Sequence, residues 1–390
     1  MKRALIIGGG FAGCVAAHFF AMRGDWVVDL FEKNHFLGAG VRTFFKGGHP
    51  FTFGPRHFLT QNSDTFDYLN KFCPLRSCSE HQFLSYVERD RAFYNFPMHV
   101  DDLIKMPDSD LIFSELENAE LSRKQIRFDP AGNIVGLGQS ELPNNLEEFW
   151  LGSVGSTLYS KFVDNYNKKM WQVESNTSID SFGWSPKGVT LKTGPRESWD
   201  DAITGYPFAA NGYNDFFNLA TEQATVFLSA LDWELDLETK RARIDSNSPW
   251  VEYDVIINTI SLDDFLPPVY GPLKYIGRDL ELIIMPAREV LPKDIFFLYY
   301  PGEEKYTRIV EYKKLTKQLL DSPTTLLSIE YPSDRGKHYP VPIRSEIEKA
   351  EKYKALLPES VFSIGRAGAY DYGVDMDDCI EQVMEIFDCL

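Results

Sequence analysis

Lys2-Arg3-Ala4-Leu5-Ile6-Ile7-Gly8-Gly9-Gly10-Phe11-Ala12-Gly13 is the stretch that decides the fold. Lys2 to Ile7 is a short apolar run of strand type, the glycines stop it, and Cys14 to Arg23 suits a helix ending at Gly24. Strand, G-x-G-x-x-G and helix together make the turn that cradles a dinucleotide. Gly8 permits the tight turn, Gly10 lets backbone approach a pyrophosphate, and Gly13 lets the helix pack closely on the strand. The phosphates would face the helix start at Phe11 and Ala12, where free N–H groups and the macrodipole favour negative charge.

Working outward, Trp26 to Phe31 reads as a second strand that ends in Glu32, nineteen residues past Gly13. A carboxylate there can accept hydrogen bonds from the adenosine ribose. Lys33 follows, and then a second glycine pair, Gly38 and Gly40, in a pattern that resembles FAD proteins of the glutathione-reductase type more than NAD dehydrogenases. FAD is therefore the expected cofactor, with Glu32, Lys33 and Gly40 among its contacts.

The 390 residues are 44% apolar and 25% charged, which suffices for a large core and suggests two or three domains. Forty Lys and Arg against 57 Asp and Glu give a formal charge of −17, which argues against nucleic acid or an anionic membrane as the main partner. Cys14, Cys73, Cys78, Cys379 and Cys389 are widely spaced and form no metal-like cluster with the seven histidines, so free thiols and no metal are expected. Three glycines inside the apolar start disqualify it as a secretory signal or a membrane helix.

From about Arg91 to Trp171 the spacing of Leu146, Phe149, Trp150, Leu158 and Phe162 predicts helix, with Asn144 or Asn145 as a cap. Between about Pro186 and Pro340 the pattern turns to strands: Val251–Ile260, Glu281–Met285, Ile295–Tyr300, Thr307–Tyr312 and Thr325–Tyr331. Val361–Gly365 and Asp377–Phe387 read as a last strand and helix. The fold class expected is α/β, α+β overall: a Rossmann-like FAD domain with a helical-bundle insertion and an antiparallel sheet domain. The expected division is 1–80, 203–260 and 341–390 for the FAD domain, 81–185 for the helical substrate domain, and 186–202 with 261–340 for the sheet.

Several downstream segments make the case specific. Tyr306-Thr307-Arg308-Ile309-Val310-Glu311-Tyr312, Glu330-Tyr331-Pro332, His338-Tyr339-Pro340-Val341 and Phe362-Ser363-Ile364-Gly365-Arg366 through Tyr372 to Asp377 stand in one order. With Gly54-Pro55, Asn95-Phe96-Pro97, Tyr166, Trp171 and Gly205-Tyr206-Pro207, they resemble the UDP-galactopyranose mutase family over nearly the whole chain. The resemblance implies a flavin enzyme that interconverts pyranose and furanose forms of a nucleotide-linked sugar with no net redox change. In that family the N5 of reduced FAD attacks the anomeric carbon and displaces the nucleotide diphosphate.

Carried over by motif, Arg308 and Arg366 match arginines that hold the diphosphate, and Tyr339 and Tyr372 match phenols that donate to it. Tyr166 and Trp171 match aromatics against the pyrimidine and the ribose or sugar. Glu330 matches an acid near flavin and sugar, or is a structural ion-pair partner; Gly365, Asp375 and Met376 fall beside the flavin. NAD(P)H as reductant, a bacterial cytoplasmic setting and a homodimer are implied in the same way.

Departures bear on the sugar. Where the family has two histidines after Gly54-Pro55, this chain has Arg56 and Leu59, while His57 takes an apolar place. Arg56 is expected to meet an added acceptor such as a 2-acetamido carbonyl, so UDP-N-acetylgalactosamine or dTDP-fucose are open alongside UDP-galactose. The loop arginine is missing and Lys187 can stand in for it as a point charge; Ser198 or Trp199 replaces a tyrosine, and His99 or Val100 an asparagine. Two other classes stay open: an FAD-dependent oxidase of the amine-oxidase type, and a non-enzymatic escort protein of the same fold.

Overall fold

Strand Lys2–Ile7 runs through the glycine turn into helix Phe11–Met22, and strand Trp26–Glu32 returns beside it. The computed structural model describes residues 1–119, 127–128, 134–135, 143–185, 191–199 and 201–390. Ala4 and Ile6 point into one buried cluster, while Leu5 and Ile7 point into another. A strand buried on both faces needs apolar residues at every position, which explains the unbroken run. Gly8 sits at φ +100°, and a Cβ on Gly13 would lie 1.9 Å from the Gly8 carbonyl oxygen, so both positions exclude any larger residue.

Five parallel strands build this sheet in the order Thr225–Leu228, Trp26–Glu32, Lys2–Ile7, Val255–Asn258 and Val361–Ser363. Helix Met376–Asp388 packs Ile380 and Val383 against the helix that follows the glycine turn. The chain is thus of the α/β class, with a Rossmann-like sheet assembled from both ends and the middle of the sequence.

A second sheet has seven strands, ordered Tyr339–Pro340, Tyr275–Met285, Thr325–Ser333, Arg308–Glu311, Phe297–Tyr299, Leu84–Val87 and Ala92–Asn95. It is antiparallel except where Phe297–Tyr299 meets Leu84–Val87. Over it lie helices Val100–Leu103, Ser109–Asn118, Leu146–Phe162 and Asp164–Trp171, whose Leu103, Ile112, Phe149, Trp150, Leu158 and Trp171 fill one core. Asn145 is the cap: its Oδ1 accepts from Glu148 N–H at 3.0 Å.

Leu146–Phe162 breaks at Gly155, with φ +83°. There the Glu115 carboxylate accepts from Thr157 N–H at 2.8 Å and Ser156 Oγ–H at 2.7 Å, and so caps the second half from a neighbouring helix.

Some expected elements are corrected. The helical stretch from Arg91 opens instead with strand Ala92–Asn95, whose alternation Tyr94-in, Phe93-out fits a sheet edge. The strand Val251–Ile260 is two strands in different sheets, Val251–Glu252 and Val255–Asn258, split where Asp254 accepts from Arg3 N–H at 2.7 Å. Glu281–Met285 begins earlier, at Tyr275, because Gly277-Arg278-Asp279 is strand and not turn. Among the described residues no helix is long and apolar enough to cross a membrane, and no His, Cys, Asp and Glu cluster could hold a metal. All five cysteines are free.

Candidate active site

A cleft of about 780 Å³ opens along the carboxyl ends of the parallel strands. Gly8, Gly10, Glu32, Lys33 and Asn34 line it together with Phe36, Gly40, Phe53, Trp233 and His338. A Cβ on Gly10 would meet only Ala39, at 3.7 Å, so the space above that glycine is a cradle open to a ligand. The first N–H groups of helix Phe11–Met22 border the cradle without intrahelical acceptors. Size, apolar walls and this anion-seeking turn fit an FAD. Glu32 Oε2 accepts from Gly9 N–H at 2.6 Å, and Oε1 accepts from Asn34 N–H at 2.7 Å and from Asn34 Nδ2–H at 2.6 Å, which aligns the carboxylate and leaves a lone pair of Oε2 for a ribose.

Of the cofactor residues expected from sequence, Gly8, Gly10, Glu32, Lys33 and Gly40 line the cleft. Gly13 and Ala12 are not lining residues: Gly13 lies against the Gly8 carbonyl and Ala12 packs where a Cβ on Gly365 would lie 3.0 Å away. Phe11 instead turns into the core against Phe216, with ring centroids 5.1 Å apart. Met376 packs on the same core, and Asp375 caps the last helix.

A second cavity, of about 190 Å³, adjoins the inner end of the cleft. The junction is Gly40, where a Cβ would lie 3.5 Å from an Arg56 guanidinium nitrogen, 3.8 Å from Phe53 and 4.0 Å from His338. Arg56, Arg278, Arg308 and Arg366 line this cavity with Tyr166, Trp171, Tyr339 and Tyr372. Arg278 and Arg366 lie over the Tyr339 ring, 4.9 and 5.3 Å from its centroid.

Two carboxylates answer the four arginines. Glu330 is fully buried; its Oε2 receives Arg308 at 2.7 and 2.8 Å and Arg278 at 3.1 Å. Asp375 binds Arg366, whose Nε also donates to the Val374 carbonyl at 2.8 Å. Two positive charges remain uncompensated, which suits a dianion.

Titration follows from the crowding. Burial would raise the Glu330 carboxyl, but Arg278 and Arg308 overcome it and hold it below the usual range. Burial would likewise raise the Tyr339 phenol, yet Arg278, Arg56, Arg366 and Arg308 bring it down to about 8. Arg56 is lowered, first by burial and then by its three cationic neighbours. His338 is pushed down to about 4 by burial, Arg56 and Arg278, so it is a neutral imidazole at neutral pH.

Arg56, Arg308, Arg366, Tyr166, Trp171, Tyr339 and Tyr372 thus meet in one cavity, with Glu330 beneath and Asp375 at its rim. Lys187 lies outside the described residues. Trp199 is no pocket residue: it packs at a tilt against half-buried His57, centroids 3.9 Å apart, and lies near His81. His99 caps the short helix Val100–Leu103. Sequence reasoning missed Arg278, Asn167, Tyr299 and Trp184. An arginine in the otherwise apolar Tyr275-Ile276-Gly277-Arg278 was the available signal for the first. Trp184 meets Trp171 and Tyr372 edge-on, at 5.4 and 5.1 Å, and closes an aromatic corner.

Comparison with known proteins agrees. The model of the UDP-galactopyranose mutase family matches residues 161–372, and that of the NAD(P)-binding Rossmann-like domain matches residues 6–72. The chain is 25% identical to dTDP-fucopyranose mutase of Escherichia coli, covering 99% of this chain and 97% of that protein. It is 23% identical to a probable UDP-galactopyranose mutase of Klebsiella pneumoniae, covering 99% and 94%. A crystal structure of reduced UDP-galactopyranose mutase superposes with a TM-score of 0.76 at 18% identity, over 100% of this chain and 93% of that one, a likeness of fold. With more than half of the chain inside the family match, the protein belongs to the UDP-galactopyranose mutase family, isomerases of nucleotide-linked sugars.

Proposed function

We propose that this enzyme interconverts the pyranose and furanose forms of a pyrimidine nucleoside-diphosphate sugar, with FAD along the glycine-turn cleft and the diphosphate on the arginine cluster. The observation that carries the reading is the set of four arginines around Tyr339, opening onto the inner end of the cleft at Gly40. Reduced FAD, when bound there, supplies an electron-rich nitrogen nucleophile for the anomeric carbon. The chain's own groups do the rest. Arg308 and Arg366 grip the leaving diphosphate, and Glu330 fixes the fork of Arg308 so that no conformational search precedes the reaction. Tyr339 and Tyr372 donate to phosphate oxygens, and Trp171 and Trp184 exclude water.

Arg56 is read as the residue that selects the sugar. It stands where cleft and cavity join, so its donors reach a substituent of the reacting ring, for which a 2-acetamido carbonyl is the matching acceptor. Arg56→His is expected to change the ratio of activity on UDP-N-acetylgalactosamine, dTDP-fucose and UDP-galactose. Equal ratios in both proteins would remove that assignment. NAD(P)H as the reductant, a homodimer, a bacterial cytoplasmic setting and the three-unit domain division belong to the same proposal.

The decisive test is incubation of the purified protein, with and without dithionite, with UDP- and dTDP-pyranoses. Furanose formation only after reduction supports the reading. Oxygen consumption with peroxide release, and no furanose, would transfer it to the oxidases of the same fold.

A further inference from the structure

Strand Leu75–Arg76 runs antiparallel to strand Ile203–Pro207, with Arg76 directly opposite Tyr206, and neither residue lines the cleft or the arginine cavity. Opposed residues present their side chains on one face, and the Arg76 guanidinium carbon lies 5.8 Å from the Tyr206 ring centroid. Tyr213, just before helix Asn214–Ala220, meets Tyr206 edge-on with centroids 5.7 Å apart. Tyr206 is 1% exposed and Tyr213 0%, and neither hydroxyl has a hydrogen-bond partner among the described residues. The same holds for Arg76 Nε and Nη2, whereas its Nη1 donates to the Ser77 carbonyl at 3.1 Å. No described carboxylate pairs with Arg76; Glu80, which acts on it electrostatically, is held by Lys317 at 3.0 Å.

Nε and Nη2 are the side-on fork of a guanidinium, whose parallel N–H bonds match two oxygens of one anion. Burial drives both phenols upward against the smaller pull of Arg76, so each keeps a proton to donate at neutral pH. A half-buried cation without a counter-ion, beside two buried donors, is costly unless a negative group completes it. We propose that Arg76, Tyr206 and Tyr213 form a binding site for a small oxyanion, of the carboxylate, bicarbonate or phosphate kind, separate from the cleft and the arginine cavity. Exposed Ser77 marks its way in. Asn214, next to Tyr213, holds Thr43 by its N–H and its carbonyl, both at 2.9 Å, so the site backs the segment that runs on from Gly40 at the cleft. The rival account is ordered water on the same donors, and water has no preference among salts.

Thermal unfolding of the holoenzyme at constant ionic strength separates the two, with sodium chloride replaced stepwise by acetate, bicarbonate or inorganic phosphate. The wild type is expected to gain about 3 °C over chloride, saturably, with at least one of the three oxyanions. Arg76→Met should lose most of that gain, and Tyr206→Phe should need several-fold more oxyanion to reach it. General stabilisation by excluded salts acts on variants and wild type alike and does not saturate. Equal melting temperatures of the wild type in all four salts, which need no variant to be folded, would overturn the inference in favour of water. A gain undiminished in both variants would put the ion on other cations and overturn it as well. So would an Arg76→Met protein whose loss of melting temperature is the same in every salt, the mark of an arginine with a packing role alone.

Discussion

Glu330 is the residue on which the arginine cluster turns. It carries no exposure, and both Arg308 and Arg278 depend on its Oε2. Glu330→Leu would strand two guanidinium groups beside each other, with an expected cost of about 3 kcal/mol in urea denaturation; an unchanged midpoint would deny the carboxylate this role. Tyr339 gives the site a pH dependence. Its phenol ionises near 8, below the ordinary tyrosine value, so the ring is neutral below that pH and anionic above it. A phenolate repels a diphosphate, and UDP affinity is therefore full on the acid side and falls, by up to about tenfold per pH unit, on the alkaline side. Tyr339→Phe should flatten this alkaline limb in UDP titrations from about pH 7 to about pH 9.5. Arg308, Arg366, Tyr339 and Tyr372 were legible because they sit in motifs of several residues. Arg278 and Asn167 were not, since a single polar residue in a strand or helix reads alike whether it faces a cavity or water.

At the level of elements, the strand Lys2–Ile7 and the glycine turn were read correctly because sterics there leave no alternative, a Cβ on Gly13 falling 1.9 Å from the Gly8 carbonyl oxygen. The helix read as Cys14 to Arg23 spans Phe11–Met22, because the glycine at position 13 does not interrupt it. The region after Arg91 was misread because its strand Ala92–Asn95 is only four residues long, shorter than the periodicity that distinguishes strand from helix. Helix Leu146–Phe162 hides another device that sequence could not reveal, since Glu115 caps it across a helix–helix contact. Glu115→Ala should cost about 1–2 kcal/mol by thermal or chemical unfolding, whereas an uncapped surface glutamate would lose almost nothing.

For the molecule as a whole, the cleft is lined by residues from Ile7 to Ala367, so one bound cofactor would tie distant segments together. FAD at about a hundred times its Kd should stabilise the protein by roughly 2.7 kcal/mol. Gly10→Val should keep the melting temperature of the flavin-free protein but lose this increment, because its side chain fills the cradle and little else; a retained increment would place the phosphates elsewhere. The acidic total of −17 describes a surface, and the cationic cavity is a local exception that focuses anions. The order of the parallel sheet has a consequence for synthesis. Lys2–Ile7 and Trp26–Glu32 leave the ribosome together, but Ala4 must await Val255, and Val255–Asn258 must in turn await Val361–Ser363. Through most of translation an apolar strand edge stands unpaired, open to other chains and dependent on chaperones. Polypeptides halted before Val361 would carry every glycine of the nucleotide turn and still emerge as aggregates.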